Sequence, residues 1–147
     1  MADKVIFLDI DGVMNHLGTG GDRRRGLVSW LDPGNVAVLN EIVRSTGAVV
    51  VLSSSWRLTM PLKALQEAFA EAGCVARLVG ITPDIDQRRR VREISAWLAQ
   101  QVEPPARYVI IDDEYEMDAL PGKLVKTSRL HGLTARELPE VLARLAD

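Results

Sequence analysis

The sequence predicts a doubly wound α/β domain built on a parallel sheet of about five strands. Three observations carry this prediction. Short runs that are apolar along their whole length alternate with segments of helical periodicity. Strands lacking an in–out alternation belong to sheets covered on both faces, and the intervening helices supply right-handed crossovers. The chain has 147 residues, 47% of them hydrophobic and 26% charged, which suits one domain (1–147) with its own core.

The elements follow in order along the chain. Lys4 to Leu8 (KVIFL) is a buried strand running straight into acids. Asp32 and Pro33 are the N-cap and first position of a helix whose inner stripe is Val36, Leu39, Ile42 and Val43, and Gly47 ends it. Ala48 to Leu52 is a second all-apolar strand. Pro61 opens a helix with Leu62, Leu65 and Phe69 on one face, closed by Gly73. Val75 to Val79 gives a weaker third strand. Residues 88–101 form a helix with a basic front, turning Val91, Ile94, Trp97 and Leu98 inward. Tyr108 to Ile111 is a fourth strand and Leu124-Val125 a short fifth. Thr134 and Glu137 make a capping box before a last helix carrying Leu138, Val141, Leu142 and Leu145.

Composition excludes several classes. A net charge of -2 argues against a strongly basic nucleic-acid-binding domain, although local basic patches remain. One cysteine, Cys74, rules out a disulfide scaffold and reads as a buried, inert thiol. The longest apolar stretch, Gly47 to Leu52, is far short of the ~20 residues of a membrane span. The N-terminus is not a signal peptide, so a cytoplasmic protein without a membrane partner is expected.

In doubly wound sheets, ligands bind beyond the carboxyl ends of the strands. The first strand ends on Asp9-Ile10-Asp11-Gly12-Val13, the second on Ser53-Ser54-Ser55-Trp56, and the fourth on Asp112-Asp113-Glu114. A lone acid there would serve as an N-cap. Two carboxylate pairs delivered to one edge repel each other, and burial raises their pKa values. A hard divalent cation with oxygen ligands resolves this, and Mg²⁺ fits, binding few carboxylates together with waters and phosphate oxygens.

FLDIDGVMN, VVLSSSW and VIIDDE, in this order over nearly the whole chain, resemble motifs I, II and IV of the haloacid dehalogenase superfamily of aspartate-nucleophile phosphohydrolases. RRRVREISAWL, VIIDDE and HGLT further resemble small capless members related to the phosphatase domains of RNA-repair proteins. The resemblance implies a three-layer Rossmann-like fold without a cap domain. It also implies a Mg²⁺-dependent phosphomonoester hydrolase working through an aspartyl-phosphate. Asp9 would attack phosphorus, and Asp11 would protonate the leaving oxygen and then activate water. Gly12 would allow the sharp turn out of the strand. Asp9, the Asp11 backbone carbonyl and Asp113 would hold Mg²⁺, with Asp112 in support or the two adjacent acids exchanging roles. Ser53, with Ser54 beside it, would bind phosphate oxygens.

The departure from the family pattern is in motif III. The superfamily places a lysine, or less often an arginine, before the fourth strand, and here there are only Arg88, Arg89, Arg90 and Arg92. The wording RVREI favours Arg90, since an arginine can neutralise Asp9 and grip phosphoryl oxygens bidentately. In the family, the segment corresponding to residues 14–31 is a flap over the site; here it includes Arg23 to Arg25. Gly12, Ser54, Asn15 and Trp56 are candidate substrate contacts, with His16 and Trp30 as further neighbours. The spans 12–52 and 54–89 are used up by the flap, helices and a strand, so no cap fits. An open site suits a nucleic-acid end or a small phosphorylated molecule. Two other readings share the fold: a receiver-like phosphoacceptor domain and a non-catalytic binding module. Motif order argues against the first and the complete motif I carboxylates against the second.

Overall fold

A computed structural model of the protein describes residues 3–85, 89–114 and 120–147. Strands β1 (Lys4–Leu8), β2 (Val49–Leu52), β3 (Leu78–Ile81), β4 (Arg107–Asp112) and β5 (Leu124–Lys126) form one sheet in the order β3-β2-β1-β4-β5. Every pairing is parallel. Helices α1 (Pro33–Thr46), α2 (Leu62–Glu71), α3 (Arg90–Ala99) and α4 (Leu138–Leu145) cover it.

The period-two alternation of β1 divides the core into two layers. Ile6 and Leu8 pack with the inward residues of α1, α2 and α4. Val5 and Phe7 pack on the other face with Ile94 of α3, and the Phe7 ring meets Trp97 edge-on at 5.4 Å. α1 and α2 carry the chain outward from β1 to β3 along one face. α3 then crosses back over the opposite face to β4. The winding therefore reverses between β1 and β4, and a crevice opens at that switch point. The described residues hold no cap domain, and none of their helices is long and apolar enough to cross a membrane.

Local chemistry matches the expected boundaries at most ends. Asp32 caps α1, its carboxylate accepting from the Gly34 and Asn35 amides, and Gly47 ends the helix at φ 72. Cys74 is buried, and burial pushes its thiol pKa up. Glu137 accepts from the Thr134 amide and hydroxyl, as a capping box requires. Regular helix nevertheless begins only at Leu138, because Pro139 in the first turn has no N–H to extend the ladder backwards.

The third strand differs from its expected position, Val75 to Val79. Asn40 of α1 clamps the chain there, donating to the Gly73 carbonyl at 3.0 Å and accepting from the Val75 amide at 2.8 Å. Pairing with β2 starts at Leu78 and shifts register before Gly80, so Val75 and Val79 face solvent. A short apolar run does not reveal its own register, and here a side chain on a helix decides it.

Candidate functional site

Register places the motif residues in a row. Leu8 pairs with Leu52 on one side and Ile111 on the other, while Ile81 and Val125 continue the same line. The next residue of each strand or strand end therefore comes to the carboxyl edge together: Thr82, Ser53, Asp9, Asp112 and, beyond Lys126, Thr127. Backbone bonds hold this row one step past the sheet. The Asp9 amide donates to Ile111 and the Ser53 amide to Leu8. The sequence order of the three motifs thus becomes spatial adjacency at the switch point.

Asp9, Asp112 and Asp113 bring carboxylate oxygens within 4.8 Å of one another. Asp9 and Asp112 are buried, and the Arg90 Nη1 lies 2.9 Å from an oxygen of each. Burial, with the neighbouring Asp112 charge, raises the Asp9 pKa to about 8 against the opposing pull of Arg90. Burial likewise raises Asp112 to about 6, again opposed by Arg90. One guanidinium is therefore not enough positive charge for this carboxylate group. An all-oxygen donor set short of positive charge fits a hard divalent cation. Among the described residues, these three aspartates form the group able to hold such a cation.

Two structural consequences follow from the same edge. Gly12 turns the chain at φ 83, and a Cβ built there would lie 2.5 Å from an Asp113 carboxylate oxygen. Its amide donates to the Asn15 side-chain oxygen, and its carbonyl accepts from the buried Thr127 hydroxyl at 2.7 Å. Gly12 thus fixes the turn to β5, with both backbone groups already bonded inside the protein. Asp11, exposed at the mouth, accepts at one oxygen from the Asn15 side-chain amide at 3.0 Å and the Trp56 indole N–H at 3.1 Å. Asn15 and Trp56 accordingly orient Asp11 while also lining the cleft.

That cleft has a volume of about 620 Å³ and is walled by Asp9, Asp11, Arg90, Asp113, Arg129 and the two indoles Trp30 and Trp56. Ser53, next to Asp9 along the same sheet edge, is 1% exposed, and its hydroxyl has no hydrogen-bond partner among the described residues. A buried hydroxyl left unbonded is costly unless a ligand oxygen completes it. Ser54 is bonded locally, its hydroxyl accepting from the Trp56 amide and its carbonyl from Arg57. His16 pairs with the α1 cap, Asp32, at 3.2 Å. Arg23 to Arg25 are exposed and do not wall the cleft. Of the second arginine cluster, Arg90 turns inward, Arg89 and Arg92 are exposed, and Arg88 lies outside the described residues.

Three functional neighbours escaped the sequence reading. Arg57 is buried in an ion pair with Glu93, and it also donates to the carbonyls of Thr82 and Ser54, each at 2.9 Å. It ties the serine loop to the first turn of α3, which carries Arg90. The visible signal was Glu93 itself, a charge on the same helical stripe as Ile94 and Trp97. Arg129, from the loop after β5, donates to Asp113 at 2.8 Å. Nothing in its local sequence marks it. Thr127 was hidden because its partner, the Gly12 carbonyl, is remote along the chain.

These pKa shifts give a stability prediction. Above the ordinary carboxylate range, the folded metal-free protein holds a proton on Asp9 up to about 8 and one on Asp112 up to about 6, protons that the unfolded chain releases. Stability contributed by these protonated forms is full below the unfolded pKa and is lost as pH rises through the folded values. The melting temperature in EDTA should therefore fall from pH 5 to pH 8, and millimolar Mg²⁺ should restore it most at the upper end. A Mg²⁺ effect that is equal at both ends of the range would contradict this account.

A model for the HAD domain in Swiss Army Knife RNA repair proteins matches residues 5–138 of the chain. Searches of curated proteins and of solved structures return no match.

Proposed function

Since the chain belongs to the family of HAD domains found in Swiss Army Knife RNA repair proteins, we propose that it is a Mg²⁺-dependent phosphomonoester hydrolase acting on phosphates at nucleic-acid ends. The observation carrying this reading is the convergence of Asp9, Asp112 and Asp113 within 4.8 Å beside Arg90, at the switch point of the sheet. The family description favours a nucleic-acid end, and the absence of a cap among the described residues suits a substrate too large to enclose.

In the first step an Asp9 carboxylate oxygen attacks phosphorus. The bond from phosphorus to the leaving oxygen breaks, and Asp11 gives that oxygen its proton. In the second step water attacks the aspartyl-phosphate and passes a proton to Asp11. The phosphorus–Asp9 bond breaks and inorganic phosphate leaves. The two donors on one Asp11 oxygen, Asn15 and Trp56, hold its carboxyl toward the cleft during both proton transfers. The unpartnered Ser53 hydroxyl donates to a phosphoryl oxygen. Arg90 favours the ionised form of Asp9 without securing it alone, and steadies the equatorial oxygens. Asp9, Asp113 and the Asp11 backbone carbonyl, supported by Asp112, would hold a Mg²⁺, which would supply the remaining positive charge against the phosphoryl group. Residues 14–31 serve as the flap beside this open site.

The direct test is phosphate release from p-nitrophenyl phosphate with Mg²⁺ or with EDTA. Many turnovers per chain in Mg²⁺ and none in EDTA are expected. Release of at most one phosphate per chain would replace the enzyme with a receiver-like phosphoacceptor. No phosphate release and no aspartyl-phosphate would leave a binding module.

A further inference from the structure

We infer that a second anion subsite, built by Arg129 and Arg136 with Lys126, adjoins the carboxylate cleft and takes the backbone phosphate next to the reacting end of a single-stranded oligonucleotide. This rests on the phosphoester reading of the first cleft and extends it. A second cleft, of about 720 Å³, lies beyond the ends of β4 and β5. It shares Asp113, Glu114 and Arg129 with the first, so the two adjoin across these residues. Lys126 closes β5, Arg129 follows in the next loop, and Arg136 stands in the turn before α4. All three are exposed, and Ser128 lines the same cleft.

The cleft also has acidic walls, but two of the three acids that line it among the described residues are committed. Glu137 is bonded into the capping box by Thr134. Asp113 faces the carboxylate group that a divalent cation would neutralise. Among the described residues, Glu114 is the acid that remains on the shared rim. Arg129 is the link between the clefts. Its side chain is 77% exposed, and its hydrogen bond to Asp113 is a contact that a cation on Asp113 would supplant. Once released, it can reach an anion in either cleft. A guanidinium suits this because its fork meets phosphate oxygens in pairs. Such contacts bind any sequence and are weakened by salt.

The test uses the full chain with Mg²⁺ and a fluorescein-labelled, single-stranded oligoribonucleotide carrying a terminal phosphate. Fluorescence anisotropy measures its Kd across a salt series for wild type, Arg136→Gln and the double variant Arg129→Gln/Arg136→Gln. Arg136→Gln should raise Kd several-fold and the double variant at least about tenfold, with the salt slope falling by about one for each arginine removed. Hydrolysis of p-nitrophenyl phosphate and of a mononucleotide should be unchanged in Arg136→Gln. Unchanged Kd and slope in the double variant would overturn the subsite. So would a mononucleotide KM that rises in Arg136→Gln as much as the oligonucleotide Kd. If no phosphoester is turned over by wild type while the Kd losses persist, the phosphatase reading fails and the subsite stands.

Discussion

Asp9→Asn should lower turnover of p-nitrophenyl phosphate by at least about a thousandfold, because an amide cannot act as the nucleophile that the aspartyl-phosphate step requires. The same substitution should leave the fold intact. Asn preserves the shape of a carboxylate that is buried and charge-frustrated, and Arg90 keeps its second partner, Asp112, at 2.9 Å. In EDTA at pH 8, Asp9→Asn should melt no lower than wild type, since it removes a group whose ionised form is disfavoured by burial and by the Asp112 charge. Turnover within tenfold of wild type would rule out Asp9 as nucleophile. A large drop in melting temperature would show that the charged form of Asp9 holds the site together.

The second large effect is expected away from the acids. Glu93→Ala should destabilise the protein by about 3–5 kcal/mol, because it strands the buried Arg57 guanidinium without its anion. For a chain of this size that corresponds to a melting temperature lower by about 10 °C or more. Glu93→Gln keeps an acceptor for Arg57 and should lose distinctly less. Both variants loosen the tie between the serine loop and the first turn of α3, so kcat should fall in Glu93→Gln even where the fold survives at assay temperature. Equal melting temperatures for wild type and Glu93→Ala would mean that Arg57 is satisfied by its carbonyl partners alone.

These predictions separate what could be read along the chain from what could not. The all-apolar strands, the Asp32 cap and the Gly47 stop are local signals, and each occurs where its chemistry requires. Asp9, Asp11, Asp112 and Asp113 were legible because carboxylates at the ends of buried strands have few other uses. Arg90 was favoured by the wording RVREI among the four arginines of a basic run. Its choice depends on helix phase: α3 turns residue 90 toward the sheet and residues 89 and 92 outward.

Periodicity and the chemistry of near neighbours suffice for the fold class and for the acids that the strand ends bring to one edge. Tertiary structure alone decided the register of β3, through Asn40, and the partners of Arg57 and Arg129. It also decided that Gly12 is pressed against Asp113 and bonded to Thr127, and that the carboxylate cleft adjoins a second one past β5. These are contacts between segments remote in the chain, set by how strands align and helices turn, and no local pattern encodes them. The small net charge illustrates the division. It is a sum over the chain, whereas the site depends on which charges the fold buries together and which it leaves at the rim.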